Sequence, residues 1–239
     1  MLVATLATLV LSWAAPAAAY NGAIHPEYQE GLSINDVPAA RRLHWMRVAN
    51  EAIYADGHPC PQAPFGSAIV NTTSDELVCV TSNRVGTTGD PTMHGEISAI
   101  RACTDVLADR GMSPSEILAA WKEFSLYTNG EPCPMCASAI RWAGFKEVIY
   151  GTSISTIAKN GRSQIYIGAN EVWEKSYSMG HATLMLGNIL TNETDPLFAH
   201  QFNESAPCLC TPVDNWEQVV RRAGKGLALV HRDEWHDEL

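Results

Sequence analysis

Residues 124–136 read Phe-Ser-Leu-Tyr-Thr-Asn-Gly-Glu-Pro-Cys-Pro-Met-Cys, a stretch that changes from strand to helix character within a few positions. Its first part, residues 124–128, is short and mainly apolar, aromatic or β-branched, which predicts a buried strand. Pro132 suits the first turn of a helix. The stretch therefore predicts a strand followed at once by a helix that carries two thiols, those of Cys133 and Cys136, in its first turn.

A second helix start lies earlier in the chain, at Asp90-Pro91. Aspartate is favoured as a helix cap and proline in the first turn, so we expect a helix to begin there. His94 and Glu96 then fall in its first turn. The positive end of a helix lowers the pKa of nearby thiols, and this favours thiolates at the start of the helix that carries the cysteines.

Together the two helix starts offer a set of metal ligands. Cys133 and Cys136 are three residues apart and share one helical face, so both can bind one ion with His94. Two thiolates and a neutral imidazole balance the charge of zinc, and three protein ligands leave the fourth position open, as in catalytic sites. Glu96, two residues past His94, could carry protons beside the ion.

Each half of this set also has a simpler interpretation. A Cys-x-x-Cys pair on its own could be a redox pair. A His-x-Glu pair on its own is common, and Glu96 could be a solvated acid in a first helical turn. The combination of the two halves favours a catalytic zinc site over either alternative.

The rest of the pattern alternates helices and strands. We expect a helix at 35–55, a hairpin of strands at 65–70 and 77–81, and a Gly-rich loop at 84–89. A helix from residue 90 onward, a strand at 124–128, a helix at 132–143 and a strand at 146–151 should follow. Asn35 or Asp36 could cap the first helix. This order predicts an α/β protein, a three-layer α/β/α sandwich around a mixed central sheet.

Beyond Gly161 the pattern weakens. We expect residues 161–235 to form an extension packed on a domain of residues 35–160, with a helix near 216–223 and a strand near 227–231. Trp142 lies in the helix that carries the cysteines, and core packing is the expectation for it.

Seven cysteines are present. If Cys133 and Cys136 hold metal, five remain. Cys79 and Cys103 lie in apolar strand and helix patterns and are expected to be buried thiols. A bridge from Cys60 to one of the late cysteines, Cys208 or Cys210, is a further hypothesis that spacing does not decide.

Both ends of the chain predict a secretory route. Residues 1–19 have no charged side chain and end in small residues, as a signal peptide does. Residues 236–239 read His-Asp-Glu-Leu, an address for retention in the endoplasmic reticulum. Three glycosylation sequons, at Asn71, Asn192 and Asn203, agree with this route. We therefore expect a luminal or secreted glycoprotein.

The formal net charge is −10. An acidic surface repels phosphate backbones, so nucleic acid is disfavoured as a partner and a small molecule is favoured. The basic cluster of Arg221, Arg222 and Lys225 is expected to be a solvated helix face. After the signal peptide, no segment has the length and apolarity of a membrane span.

The two motifs resemble those of the cytidine/deoxycytidylate deaminase superfamily. Residues 90–96, Asp-Pro-Thr-Met-His-Gly-Glu, resemble an element of bacterial guanine deaminases and tRNA adenosine deaminases. Residues 126–136 resemble the second motif of the same proteins, and residues 94–98, His-Gly-Glu-Ile-Ser, are similar to fungal cytosine deaminase. The resemblance covers roughly residues 35–157.

The resemblance assigns roles to individual residues. It implies that His94, Cys133 and Cys136 bind Zn²⁺ and that Glu96 is the catalytic proton shuttle. It also implies three substrate contacts: the side chain of Asn83, the backbone N–H of Gly95 and the carbonyl of Glu131. For Asn83 the alternative is a turn residue that ends a strand.

The resemblance also implies a fold and an activity. The fold would be cytidine deaminase-like, and the chain would form a homodimer through an edge of the sandwich. The activity would be hydrolytic removal of an exocyclic amine from a nucleobase or nucleoside, of guanine or cytosine type. Two alternatives stay open: a polynucleotide deaminase acting on tRNA adenosine, and a non-catalytic zinc-containing protein that binds nucleobases.

Overall fold

A five-stranded mixed sheet organises the residues that the computed structural model describes, which are 32–55 and 60–199. Its strands are β3 (Gly66–Asn71), β4 (Glu76–Ser82), β5 (Phe124–Gly130), β6 (Glu147–Thr152) and β7 (Leu184–Leu186). A separate small hairpin, formed by β1 (Ser33–Ile34) and β2 (Val37–Pro38), precedes them in the chain. The order across the sheet is β4-β3-β5-β6-β7. β3 is antiparallel to β4 and β5, whereas β6 is parallel to β5 and β7.

Helices cover both faces of this sheet. They are α1 (Ala39–Glu51), α2 (Val85–Thr88), α3 (Gly95–Asp109), α4 (Pro114–Ala120), α5 (Pro134–Ala143), α6 (Ile154–Lys159), α7 (Ala169–Lys175) and α8 (Thr191–Ala199). Two 3₁₀ turns, Ala52–Tyr54 and Trp121–Glu123, extend α1 and α4. None of the helices in the described ranges has both the length and the apolarity needed to cross a bilayer.

Alternation along the strands divides the core into two layers. In β3, Ala68 and Val70 pack with α1, whereas Ile69 packs with α3 on the opposite face. In β6, Ile149 and Val148 divide in the same way. Successive strand residues point to opposite faces, so each strand contributes to both apolar layers. The prediction of a three-layer α/β/α sandwich with a mixed sheet is confirmed.

A buried ion pair joins α1 to the sheet. Both terminal nitrogens of the fully buried Arg42 donate to the carboxylate of Glu147 at 3.0 Å, and Arg42 also donates to the carbonyl of Ile34 at 2.7 Å. The hydroxyl of Ser125 donates to Glu147 at 2.7 Å. The bidentate geometry offsets the desolvation of both charges and fixes α1 on β6.

The predicted helix caps were wrong at two helices. α1 begins at Ala39, and Asn35 and Asp36 form the tight turn between β1 and β2 with positive φ. α3 begins at Gly95, because Asp90 uses its side chain to accept from the N–H and hydroxyl of Thr92 in a local turn. Side chains of this type favour turns as readily as caps.

Two smaller differences concern the residues before α3 and α5. The predicted Gly-rich loop at 84–89 contains a short helix, α2, which ends at Gly89 with a φ of 72°. α5 begins at Pro134 and has Cys133 as its N-cap, two residues later than predicted. The proline that sets this helix is therefore Pro134, inside the Cys-x-x-Cys pair.

The expectation of free thiols at Cys79 and Cys103 was wrong. They form a disulfide between β4 and α3, and both are buried. Their apolar surroundings are as predicted, but sequence alone does not show that helix and strand bring the two sulfurs together. Cys60 is also disulfide-bonded; Cys208 and Cys210 lie outside the described residues.

Trp142 was wrongly placed in the core, because its side chain is 79% exposed. It lies on the face of α5 opposite Ile140, which is fully buried. A helix with one face on the sheet leaves its other face in solvent whatever residues it carries. Trp142 therefore adds apolar surface and contributes nothing to the core.

The described part of the predicted extension adds β7 to the sheet and packs α7 and α8 on the domain. Trp173 of α7 packs against the core on the α3 side, and Phe198 of α8 is fully buried. The domain boundaries stay a prediction. The signal peptide, the sequon at Asn203, the basic cluster at 221–225, the late helix and strand, and the tail at 236–239 lie outside the described residues.

Candidate metal centre

The three predicted ligands meet where two helices begin. His94 is the N-cap of α3 and Cys133 is the N-cap of α5, while Cys136 lies in the first turn of α5. α5 follows the end of β5, and α3 follows the loop after β4. The sheet order places β4 and β5 on either side of β3, which brings the two helix starts together.

The geometry of the three side chains fits a tetrahedral ion. The Sγ atoms of Cys133 and Cys136 lie 3.5 and 3.6 Å from Nδ1 of His94. Zinc bonds of about 2.3 Å to sulfur and 2.0–2.1 Å to nitrogen give a tetrahedral S–N edge of about 3.6 Å. All three ligand atoms lie within 4.8 Å of one another, and no fourth protein ligand joins them among the described residues. The set fits Zn²⁺ with one open position.

The thiols carry charge unevenly. The pKa of Cys133 is lowered to about 4, first because of the hydrogen bond with Cys136 and then because of His94. The same bond and its burial raise the pKa of Cys136. The hydrogen bond with Cys133 also raises the pKa of His94. A cation bound between the two sulfurs would deprotonate both thiols, since metal charge dominates the local pKa values.

Glu96 is buried beside these ligands, with 3% of its surface exposed. Burial raises its pKa to about 7, and the charge of Cys133 adds to that rise. A carboxyl group in the first turn of α3 and in contact with Cys136 is neither a solvated acid nor a metal ligand in this arrangement. Its position suits proton transfer at the open corner of the ion.

Gly95 is required by a close approach between α3 and the start of β3. A Cβ at Gly95 would lie 2.7 Å from the carbonyl oxygen of Phe65 and 3.2 Å from the hydroxyl of Ser67. Any side chain here would push the first turn of α3 away from the sheet. Glycine therefore keeps His94 and Glu96 in place, whatever its N–H contributes to substrate.

Asn83 lies in the turn after β4, close to the same strand start. Its backbone N–H donates to the carbonyl of Phe65 at 2.8 Å, and its Oδ1 accepts from Val85 N–H at 3.1 Å. Both bonds are those of a turn residue, the alternative interpretation of this position. They leave the amide NH₂ as the group that could donate to a substrate.

The side chain of Glu131 bonds to two helix starts and is not among the metal ligands. Its carboxylate accepts from Ile154 N–H and from Ala169 N–H, each at 2.8 Å. Sequence reasoning assigned a role only to its carbonyl and missed this contact. No local pattern could show it, because both donors are backbone groups distant in sequence.

Sequence reasoning also missed Phe65 and Arg162 at this site. The ring of Phe65 would contact a Cβ at Gly130 at 3.0 Å, and its carbonyl bonds to Asn83. The guanidinium carbon of Arg162 lies 5.0 Å from the centre of the Phe65 ring. The position of Phe65 at a strand start was the one available signal; Arg162 lies in the stretch without periodicity.

Comparison with known proteins agrees with this geometry. Residues 40–152 match the family described as cytidine and deoxycytidylate deaminase zinc-binding region. A guanine deaminase of Bacillus subtilis is 36% identical over 104 residues, which cover 44% of this chain and 60% of the relative. A probable cytosine deaminase of Schizosaccharomyces pombe is 35% identical over 98 residues, or 41% of this chain and 52% of the relative.

A solved structure shares the fold. The guanine deaminase of Nitrosomonas europaea superposes with a TM-score of 0.53 at 21% identity, over 69% of this chain and 84% of that chain. The family match places residues 40–152 in the cytidine and deoxycytidylate deaminase zinc-binding family. The superposition shows that the fold is shared. It spans 60% and 52% of the length of the two curated relatives.

Proposed function

We propose that the protein is a zinc-dependent hydrolytic deaminase of a nucleobase or nucleoside, of guanine or cytosine type. The observation that carries the proposal is the buried carboxyl group of Glu96 directly beside a three-ligand site. A structural zinc site would use four protein ligands and would have no need of a proton carrier. The relatives named guanine deaminase and probable cytosine deaminase support the substrate class.

The chemistry divides between the ion and the chain. His94, Cys133 and Cys136 would hold Zn²⁺, which supplies Lewis-acid activation of water when bound. Glu96 would accept the two protons of the attacking water in turn and deliver one to the ring nitrogen and one to the departing amine. The carbon exchanges its exocyclic amine for the oxygen of water, and ammonia leaves.

Three further groups would orient the substrate. The amide of Asn83 and the backbone N–H of Gly95 are donors, and the carbonyl of Glu131 is an acceptor. This combination can distinguish a ring carbonyl from an exocyclic amine, because the carbonyl needs a hydrogen-bond donor and the amine needs an acceptor. Binding through such groups rejects analogues that leave them unpaired when buried.

A substrate panel tests the proposal most directly. Purified, zinc-loaded protein is incubated with guanine, cytosine, adenine and their nucleosides and nucleotides, and ammonia release is measured. We expect turnover of one guanine- or cytosine-type compound. Stoichiometric zinc with no ammonia from any compound would contradict the proposal and favour the non-catalytic nucleobase-binding alternative.

The polynucleotide alternative is supported by the motif at residues 90–96, which is shared with tRNA adenosine deaminases. The net charge of −10 argues against it, since phosphate backbones need basic surface. Binding of a tRNA anticodon stem-loop, measured at two salt concentrations, separates the two. Steeply salt-dependent binding with adenosine deamination would favour the polynucleotide activity.

We also propose that the protein matures in the secretory pathway and is held in the endoplasmic reticulum. The buried disulfide between Cys79 and Cys103 supports an oxidising compartment, as does the bonded Cys60. Asn192 is an exposed sequon residue on α8 and is the proposed glycan site among the described residues. Luminal retention of the full chain, and secretion of a version without residues 236–239, are the expected results; cytosolic staining would contradict them.

Self-association through an edge of the sandwich belongs to the same proposal. Light scattering coupled to size-exclusion chromatography tests it, and a dimer is the expected result. A monomer at all concentrations would contradict this part and would leave the chemistry of the metal centre unaffected.

A further inference from the structure

One carboxylate, that of Glu131, holds both ends of the segment Ile154–Ala169. Its Oε2 accepts from the N–H of Ile154, the first residue of α6, and its Oε1 accepts from the N–H of Ala169, the first residue of α7, each at 2.8 Å. The first N–H groups of a helix have no partner within the helix. Glu131 therefore caps two helices at once and closes the chain between them into a loop, defined as residues 154–169 and called the clamped loop below.

Glu131 itself is fixed to the sheet beside the metal ligands. Its backbone N–H donates to the carbonyl of Thr152 at 2.7 Å, which continues the pairing of β5 with β6. Two residues later comes Cys133. The position of the carboxylate is consequently set by the same strand end that sets the cysteines.

The clamped loop returns to the metal centre through Arg162. The Arg162 guanidinium lies 5.0 Å from the ring centre of Phe65 and donates to the carbonyl of Gln62 at 3.3 Å. It also lies near enough to His94 to interact with it electrostatically. The stack on Phe65 places the loop at the edge of the site that contains Asn83 and Gly95.

The middle of the clamped loop presents apolar surface. Ile165 and Tyr166 are 62% and 78% exposed, and Ile167 is 39% exposed. Aromatic and aliphatic side chains of this kind are the groups against which a planar ring packs in small-molecule sites.

We propose that Glu131 is a positioning residue for substrate binding: its carboxylate holds the clamped loop against the metal centre, and that loop sets the affinity for the substrate ring. The substrate part rests on the proposed deaminase function; the anchoring part does not. Glutamine at 131 would keep one acceptor oxygen and turn an amide NH₂ toward the second N–H, so one helix would lose the bond from its first N–H to residue 131.

The test compares Glu131→Gln with a matched control, Glu171→Gln. Glu171 is exposed and its carboxylate accepts from Gly168 N–H at 3.1 Å, so it caps α7 alone. Both zinc-loaded variants are measured for zinc content, for kcat and KM on the compound that the panel identifies, and for amide hydrogen exchange at Ile154 and Ala169 by NMR.

We expect Glu131→Gln to keep its zinc, to raise KM about tenfold with kcat changed by less than about threefold, and to exchange faster at whichever of the two amides faces the new NH₂ group. Glu171→Gln should leave KM near the wild-type value. Equal effects of the two variants, or unchanged exchange at Ile154 and Ala169, would overturn the proposal.

Two safeguards keep the outcomes separate. If Glu131→Gln folds poorly, Glu131→Asp replaces it, since this shorter carboxylate keeps the charge and does not reach both helices; the same rise in KM is expected. If the wild type deaminates nothing in the panel, the deaminase function and the substrate part fall together, and the amide exchange alone decides whether Glu131 anchors the loop.

Discussion

Residues 39–152 and residues 153–199 are held together by different means. The first region contains the long strands, both apolar layers, a buried disulfide and a buried ion pair. The second consists of short helices and one edge strand. It adds Ile189 and Leu190 to the apolar layer on the α1 side, and polar contacts from a few side chains hold it in addition. The comparison teaches that the metal centre has a rigid base, while the surface beside it depends on a few side chains.

Three residues of the first region make most of these attachments. Glu131 caps α6 and α7, as described above. Arg141 of α5 is buried and donates to the hydroxyls of Ser176 and Thr183. It also donates to the carbonyls of Ser176 and His181, in the segment between α7 and β7. Thr152 donates to Thr194 of α8 at 2.9 Å. We therefore expect changes in the base to act on the whole fold or on chemistry, and changes in the attachments to act locally.

The largest effect is expected at the chemical centre of the base, with Glu96→Gln. Removal of a general acid–base group costs about 10²- to 10⁴-fold in rate, so kcat should fall by about that factor. Zinc content should stay stoichiometric, because Glu96 is not among the three ligands. Cys133→Ala is the counterpart and should lose zinc as well; full activity in Glu96→Gln would contradict the assigned role.

Next in size is Arg42→Ala, which leaves the buried carboxylate of Glu147 without its partner. Loss of one member of a buried pair costs about 3–5 kcal/mol, and urea unfolding should show a fall of that order in the free energy of unfolding. Arg47→Ala is the control, because its pair with Glu193 is exposed and such pairs contribute about 0–1 kcal/mol. Equal losses in both variants would mean that burial does not separate the two pairs.

The disulfide gives a third test of the base. Cys79 and Cys103 are separated by 24 residues, and closing a loop of that size stabilises the folded state by about 3 kcal/mol. In the double variant Cys79→Ala/Cys103→Ala, the free energy of unfolding measured in urea should fall by about 3 kcal/mol. The variant should keep its zinc. An unchanged midpoint, or mass spectrometry that finds both thiols free in the wild type, would contradict the bond.

The smallest effect is expected at an attachment between the two regions, with Thr152→Val. The variant loses the hydroxyl bond to Thr194 and should lose about 1 kcal/mol. Because α8 packs on β6 there, amide exchange should increase in α8 and stay unchanged in α3 and α5. Faster exchange throughout the sheet would show that the two regions are more tightly coupled than the contacts indicate.

Several elements were predictable from sequence for identifiable reasons. β3, β4 and β5 have enough apolar and β-branched residues for their positions to be read within one or two residues. The helix starts were less accurate, because Asp90 and Asn35 can bond within turns as well as cap helices. β7 and α7 were missed, since a three-residue edge strand and a seven-residue helix leave little periodicity.

The candidate site shows the same division. His94, Glu96, Cys133 and Cys136 were predictable because metal chemistry restricts both residue type and spacing. Phe65 and Arg162 were not, since an aromatic ring or an arginine has many uses and neither has a fixed spacing from the motifs. The disulfide at Cys79 was missed because apolar surroundings describe a buried thiol and a buried bridge equally well.

The sequence by itself determined the candidate ligand set, the candidate proton carrier and the alternation that builds a sandwich, because each depends on residue type at short separations. Only the tertiary structure decided that β4 and β5 flank β3, so that two helix starts converge on one candidate metal site. It alone decided that one carboxylate caps two helices and that two buried cysteines meet. These contacts join groups far apart in the chain, and their geometry exists only once the sheet has formed.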